Sequence, residues 1–103
     1  MKFIEIHCSA PSKEVAQSIS NALLEQKLAA CIQIIEQMNS IYTYEGKRCE
    51  EGEVLMLIKS KASLFDDVTT LIEALHPYEV TEITAFEIKQ INKKYKNWLS
   101  ETL

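Results

Sequence analysis

His76-Pro77-Tyr78-Glu79-Val80-Thr81-Glu82 places an imidazole, a proline, a phenol and two carboxylates within seven residues. Proline fixes its own φ and moves the preceding residue out of the helical region, so His76 is predicted to end a helix and begin an extended segment. Apolar residues recur at helical spacing before it, and a strand-like stretch follows it. The segment is either a helix-to-strand connector in which Tyr78 fills a gap in the core, or a site for a cation or another ligand.

The chain before this segment predicts a strand, a helix and a long hairpin. Residues 2–8 alternate like a half-buried strand, and Ser12 can cap a helix that runs to about residue 26. Residues 28–35 are almost all apolar, which predicts a central strand, and residues 40–44 alternate again after a looser segment at 36–39. Glu45-Gly46-Lys47 predicts a hairpin turn with Gly46 at positive φ, and residues 48–58 form the return strand.

The remaining elements complete a known order of strands and helices. A helix over 63–75, a strand over 79–88 and a last helix capped by Asn92 follow the hairpin. We therefore expect a single domain over residues 1–103 of the α+β class: a ferredoxin-like β-α-β-β-α-β sandwich with an additional C-terminal helix and an extended β2-β3 hairpin. Both helices should cover one face of a four-stranded antiparallel sheet. The bare face and the aromatic hairpin arm then predict self-association.

Composition limits the classes of partner. The chain of 103 residues has a formal charge of −4, with 47% hydrophobic and 25% charged residues, as in a soluble globular protein. A nucleic-acid partner is not expected, because phosphate binding needs clustered lysine and arginine. Glu5 interrupts the first apolar residues, so neither a signal peptide nor a membrane span is expected. Three widely spaced cysteines fit a reducing compartment, and the cytoplasm is the expected location.

Cys8 and His76 are the candidate metal ligands. Thiolate and imidazole together suit copper or zinc, and both residues stand at the ends of predicted elements. Cys8 has a second interpretation as a small buried hydrophobe, and the run Glu50, Glu51 and Glu53 is predicted to be solvated surface. Catalysis is not expected: the chain lacks a glycine-rich phosphate loop and a G-x-S-x-G motif, and a Cys8–His76 dyad has no positioned oxyanion donor.

The whole chain resembles the CutA family of divalent-cation tolerance proteins. The resemblance rests on Leu28-Ala29-Ala30-Cys31-Ile32, Ser40-Ile41-Tyr42-Thr43-Tyr44-Glu45-Gly46-Lys47, the His76–Glu82 segment and Tyr95-Lys96-Asn97-Trp98-Leu99, which occur in the family's order. Cys8-Ser9-Ala10-Pro11 also matches the family's first strand-to-helix turn. The resemblance implies a ferredoxin-like fold, a homotrimer built through extended hairpins, a cytoplasmic location and a role in tolerance of copper and other divalent cations. It also implies that Cys8 and His76 occupy the positions of proposed copper ligands.

The sequence departs from the family pattern at four places. Leu75 stands where some members have a second histidine, and Tyr44 replaces a tryptophan. Glu36-Gln37 replaces a frequent Pro-Gly at the bend in the second strand, and residues 89–92 lack a common glycine.

Three hypotheses about function remain at this point. The first is a homotrimeric protein that binds copper, or another divalent cation such as zinc, through Cys8 and His76, with further donors from solvent or a neighbouring chain. The second is a trimeric regulatory module similar to the PII signalling proteins, which would bind a small molecule or a protein at its subunit clefts. The third is a structural scaffold. Scarce glycine and the lack of clustered lysine and arginine disfavour a nucleotide site of the second kind.

Overall fold

The computed structural model describes all residues from 1 to 103. Seven main elements follow one another: β1 (Phe3–Ala10), α1 (Lys13–Glu25), β2 (Cys31–Tyr44), β3 (Lys47–Lys61), α2 (Phe65–Leu75), β4 (Thr84–Glu87) and α3 (Lys93–Thr102). The strands form one antiparallel sheet in the order β2-β3-β1-β4. The predicted α+β class, the four-stranded antiparallel sheet and the extra C-terminal helix are confirmed. None of the helices combines the length and the apolar character needed to cross a bilayer.

One face of the sheet carries the main hydrophobic core. Ile6 is opposite Ile58, and Cys8 is opposite Met56, across β1 and β3, and all four residues are fully buried. The helices add five buried residues to this cluster: Ala16, Ile19, Leu23, Val68 and Ile72. Fully burying a large apolar side chain contributes about 1.5–3 kcal/mol. Both α1 and α2 therefore lie on the face that the alternation in β1 predicts, and α3 packs Leu99 against Phe3 in a smaller cluster.

Helix α1 has the predicted beginning and a regular end. The Ser12 hydroxyl accepts a hydrogen bond from the Val15 N–H at 3.2 Å. At the other end Lys27 has φ 56°, and the Leu28 N–H donates to the Leu23 carbonyl at 2.9 Å. This is a Schellman motif, in which a left-handed residue lets the chain turn away from the helix.

Strand β4 is shorter than the predicted strand over residues 79–88. It contains only Thr84–Glu87 and pairs with β1 from Ile4 to His7. Residues 77–83 turn instead, and the Thr81 hydroxyl donates to the Tyr78 carbonyl at 3.4 Å. The prediction was wrong here because the hydrogen bonds of His76 and Tyr78, described below, hold this segment away from an extended path along β1.

The long hairpin contains a bulge and a tight turn. Strand β2 runs without interruption through residues 36–39, and its register against β3 shifts between Ile35 and Met38. Gln37 adopts φ 64° in this bulge, a left-handed conformation that is unusual for a residue with a Cβ. At the tip, Glu45 and Gly46 have φ values of 51° and 76°, which is the two-residue turn that the twist of a hairpin favours.

The second face of the sheet is open except where α3 packs on Phe3 and Ala30, and the outer part of the hairpin is open as well. Ile35, Ile41 and Phe86 are 50%, 59% and 53% exposed. On the same open face, the carboxylate of Glu5 lies 2.8 Å from Lys59 Nζ and 2.7 Å from His7 Nε2. Lys59, and then His7, hold the pKa of Glu5 below its usual range. Apolar and charged groups thus share the part of this face that α3 does not cover.

Replacing Gln37 by glycine is expected to stabilise the protein. A left-handed conformation costs a residue with a Cβ about 1–2 kcal/mol, and glycine avoids this cost. The greater backbone entropy of glycine in the unfolded chain offsets part of the resulting gain in stability. We expect Gln37→Gly to raise the free energy of unfolding by about 0.5–1 kcal/mol in guanidinium denaturation at fixed protein concentration.

Thr43→Gly is the matched control for this substitution. Thr43 is exposed in the same strand, and its φ is not positive. Thr43→Gly should therefore lower the free energy of unfolding by about 0.5–1 kcal/mol. A loss of stability in both variants would contradict the assigned strain at Gln37.

Candidate functional site

His76 lies where α2 ends, as the sequence predicts. Its backbone N–H still donates to the Ile72 carbonyl at 2.8 Å, but its φ of −79° and ψ of 138° are extended. Pro77 excludes the helical region for His76, so the helix stops and the chain turns back toward the end of β1. The side chain of His76 is carried into the protein by this turn.

Both ring nitrogens of His76 have hydrogen-bond partners. Nε2 lies 2.7 Å from the carbonyl oxygen of Ser9, and Nδ1 accepts the backbone N–H of Tyr78 at 3.2 Å. A carbonyl oxygen only accepts, so the proton of the ring is on Nε2. The residue is only 7% exposed, and its ring packs on that of Tyr78 with 4.7 Å between centroids. His76 therefore ties the segment after α2 to β1.

Cys8 is fully buried in the main core. Its Sγ lies 3.6 Å from the carbonyl oxygen of Ser9 and donates a weak hydrogen bond to it. Burial raises the pKa of the thiol to about 12, and the carboxylates of Glu82 and Glu53 add to this effect. At neutral pH the sulfur is a protonated thiol rather than a thiolate.

The structure brings the two candidate ligands together. Cys8 Sγ and His76 Nε2 both bond the same atom, the carbonyl oxygen of Ser9. No group of three or more histidine, cysteine, aspartate or glutamate side chains is arranged to hold a metal ion. Cys31 and Cys49 are free thiols at the start of β2 and in the outer part of β3. The metal role of Cys8 and His76 stays a prediction.

Tyr78 and Glu53 form a polar pair that the sequence did not reveal. The Tyr78 hydroxyl donates to Glu53 Oε2 at 2.7 Å, and Glu53 is only 7% exposed. Burial and the carboxylate of Glu53 raise the pKa of Tyr78, so the phenol remains a donor. The prediction that the acidic run is solvated holds for Glu50 and Glu51 but is wrong for Glu53. The sequence signal for the burial of Glu53 was its position immediately before the apolar stretch that begins at Val54.

A cleft of about 700 Å³ lies between the outer hairpin and the segment after His76. Its lining comes from β1, from both strands of the hairpin and from the turn after α2: Ser9, Ser40, Ile41, Tyr42, Tyr44, Cys49, Glu51, Glu53, Pro77, Tyr78, Glu79, Val80 and Glu82. The Tyr78–Glu53 hydrogen bond crosses from one wall to the other. The cleft thus borders the Ser9 carbonyl that holds Cys8 and His76.

These features define a class of small α+β protein, with a long hairpin, a histidine bonded to the end of the first strand and a cleft between the two. The family model of the CutA1 divalent ion tolerance protein matches residues 4–102. The chain belongs to the CutA1 family.

Three relatives illustrate this membership. The divalent-cation tolerance protein CutA of Thermus thermophilus is 42% identical over 90% of each chain, and its structure superimposes with a TM-score of 0.94 over 97% of each chain. Protein CutA of Mus musculus is 41% identical over 90% of this chain, which spans about half of the mouse protein. The periplasmic divalent cation tolerance protein CutA of Archaeoglobus fulgidus is 35% identical, with a TM-score of 0.94 over 97% of each chain. The family favours the first functional hypothesis over the PII-like alternative.

Tyr78→Phe tests the polar pair between the two walls of the cleft. The change removes a hydrogen bond to a carboxylate and leaves Glu53 without a donor, so the free energy of unfolding should fall by about 1.5–3 kcal/mol. Denaturation with guanidinium at pH 7 measures the difference.

Tyr44→Phe provides the control within the same cleft. Tyr44 is 40% exposed and its hydroxyl has no hydrogen bond within the chain, so stability should change by less than about 0.5 kcal/mol. Equal losses of stability in the two variants would show that the hydrogen bond from Tyr78 to Glu53 does not stabilise the protein.

Proposed function

We propose that this protein acts in divalent-cation tolerance as a cytoplasmic homotrimer that binds copper, or another divalent cation such as zinc, at Cys8 and His76. The proposal is carried by one observation: Cys8 Sγ and His76 Nε2 converge on the carbonyl oxygen of Ser9. Family membership supports the general role in tolerance of divalent ions. No catalytic role is proposed.

The chemistry of the two donors fits copper. A thiolate sulfur and an imidazole nitrogen are donors that copper and zinc accept, and both atoms lie within hydrogen-bond distance of the same carbonyl oxygen. A complete coordination shell needs further donors, which we assign to solvent, to Glu79 or to a neighbouring chain. Leu75, which is 45% exposed, replaces the second histidine of some relatives and contributes no donor.

Binding has an internal cost in this protein. The thiol of Cys8, with a pKa of about 12, must lose its proton, and one ring nitrogen of His76 must give up its hydrogen bond. Because metal binding releases the thiol proton, affinity should rise about tenfold for each pH unit through the neutral range. This cost predicts a site of moderate affinity that responds to elevated metal concentrations.

The homotrimer is supported by the surfaces that one chain leaves open. The outer hairpin exposes Ile41, Tyr42 and Tyr44, and the open sheet face exposes Ile35 and Phe86, each by more than a third. Several large apolar side chains exposed on one small domain indicate an interaction surface. In the proposed assembly, three ferredoxin-like subunits cover these surfaces for one another.

Copper titration of the purified protein tests the metal site. We expect one copper ion bound per chain, with binding lost in Cys8→Ala and in His76→Ala, because each removes one of two donors. Isothermal titration measures binding, and circular dichroism verifies that both variants fold. Cys49→Ser is the matched control, since Cys49 is a free thiol that bonds the Lys47 carbonyl rather than that of Ser9, and it should not affect binding.

Mass in solution, measured in the same samples, tests the assembly. Wild type and all three variants should have three times the mass of one chain. Unchanged copper stoichiometry in both Cys8→Ala and His76→Ala would remove the metal role from these residues, and a monomeric mass would contradict the homotrimer.

A further inference from the structure

Neither ring nitrogen of His76 has a free lone pair in this structure. The Nε2 atom carries the ring proton and donates it to the Ser9 carbonyl at 2.7 Å. The lone pair of Nδ1 accepts the Tyr78 N–H at 3.2 Å. A neutral imidazole binds a cation through the nitrogen that lacks the proton. His76 therefore lies beside Cys8 in a form that cannot act as a ligand.

Either nitrogen of His76 can become a ligand only if the same hydrogen bond breaks. Binding through Nδ1 needs the lone pair that the Tyr78 N–H occupies. Binding through Nε2 leaves the single ring proton on Nδ1, where it would face that N–H, and two donors cannot form a hydrogen bond with each other. The ring keeps one proton in both cases. In both cases, too, the backbone of Tyr78 must move away from the ring.

The side chain of Tyr78 resists this movement. Its hydroxyl donates to Glu53 Oε2 at 2.7 Å, and Glu53 is a buried residue of β3. Its ring packs on that of His76 with 4.7 Å between centroids. Apart from its bond to His76, the backbone of Tyr78 has one hydrogen bond, from the Thr81 hydroxyl to the Tyr78 carbonyl at 3.4 Å. The short bond to Glu53 is thus the main restraint on Tyr78, because hydrogen bonds to charged groups are the stronger ones.

We propose that the hydrogen bond between Tyr78 and Glu53 is a latch that keeps His76 in its non-ligating form and thereby regulates metal binding. This inference rests on the proposed metal site, and it makes Tyr78 and Glu53 positioning residues that act through His76. The latch stabilises the closed ring relative to the ring that can bind a cation. Metal binding must offset this difference, so the latch lowers the apparent affinity of the site.

Tyr78→Phe tests the latch in two measurements. Phenylalanine keeps the ring that packs on His76 and the backbone N–H, and it removes only the hydroxyl that bonds Glu53. In the metal-free protein, NMR should show that the Nε2 proton of His76 exchanges with water about tenfold faster than in the wild type. Isothermal titration should show that copper binds about tenfold more tightly at unchanged stoichiometry, because opening the ring no longer breaks a hydrogen bond to a carboxylate. A purely structural role of Tyr78 would not raise the affinity.

Ser60→Ala is the matched control for the loss of one buried hydrogen bond. The Ser60 hydroxyl donates to the Leu28 carbonyl at 2.6 Å, and Ser60 is fully buried in β3. Ser60 pairs with Ile4 near the start of β1, whereas Ser9 pairs with Leu55 near the end of β1. Ser60→Ala should therefore lower global stability, but it should leave the exchange of the imidazole proton and the copper affinity at their wild-type values.

Four results would overturn the proposal. The first is an unchanged exchange rate of the imidazole proton in Tyr78→Phe. The second is equal acceleration in Tyr78→Phe and Ser60→Ala, which would mean general loosening of the fold. The third is faster exchange in Tyr78→Phe without tighter copper binding. The fourth is the absence of copper binding in both the wild type and Tyr78→Phe, which would contradict the proposed metal site as well, whatever the exchange rates.

Discussion

The hydrogen bond from His76 Nε2 to the Ser9 carbonyl is the constraint on which the arrangement of the cleft depends. The two residues are 67 positions apart, and the bond joins the end of the first strand to the segment after the second helix. Because the Nδ1 atom also accepts the Tyr78 N–H, the same ring sets the turn that follows Pro77. That turn carries Tyr78 to Glu53, and so closes one wall of the cleft against the hairpin.

The hairpin is the second structural requirement. Its inner part pairs with the central strands and buries Val54, Met56 and Ile58, while its outer part extends beyond the helices and exposes aromatic residues. The bulge at Gln37 separates these two parts and changes the direction of the ribbon. One element thereby contributes to the core of its own subunit, to a wall of the cleft and to the surface that we assign to neighbouring subunits.

Much of this fold was predictable because its signals are local. The alternation in β1, the Ser12 cap, the Gly46 turn and the His76-Pro77 boundary each follow from a few adjacent residues, and each is found where expected. The short β4 and the buried Glu53 were not predictable, because both depend on contacts between residues distant in sequence. The proximity of Cys8 to His76 was suggested by topology, but the full burial of the thiol and its raised pKa became evident only from the packing. Ligand preference and assembly depend on further molecules and remain proposals.

Nitrogen-15 NMR of the His76 ring in the metal-free protein at neutral pH tests the central constraint most directly. A ring that donates to Ser9 and accepts from Tyr78 must carry its proton on Nε2, and burial must slow the exchange of that proton with water. The account predicts this tautomer, with a protected Nε2 proton whose signal shows contact with residue 9. A proton on Nδ1, or an Nε2 proton that exchanges as fast as that of an exposed histidine, would contradict it.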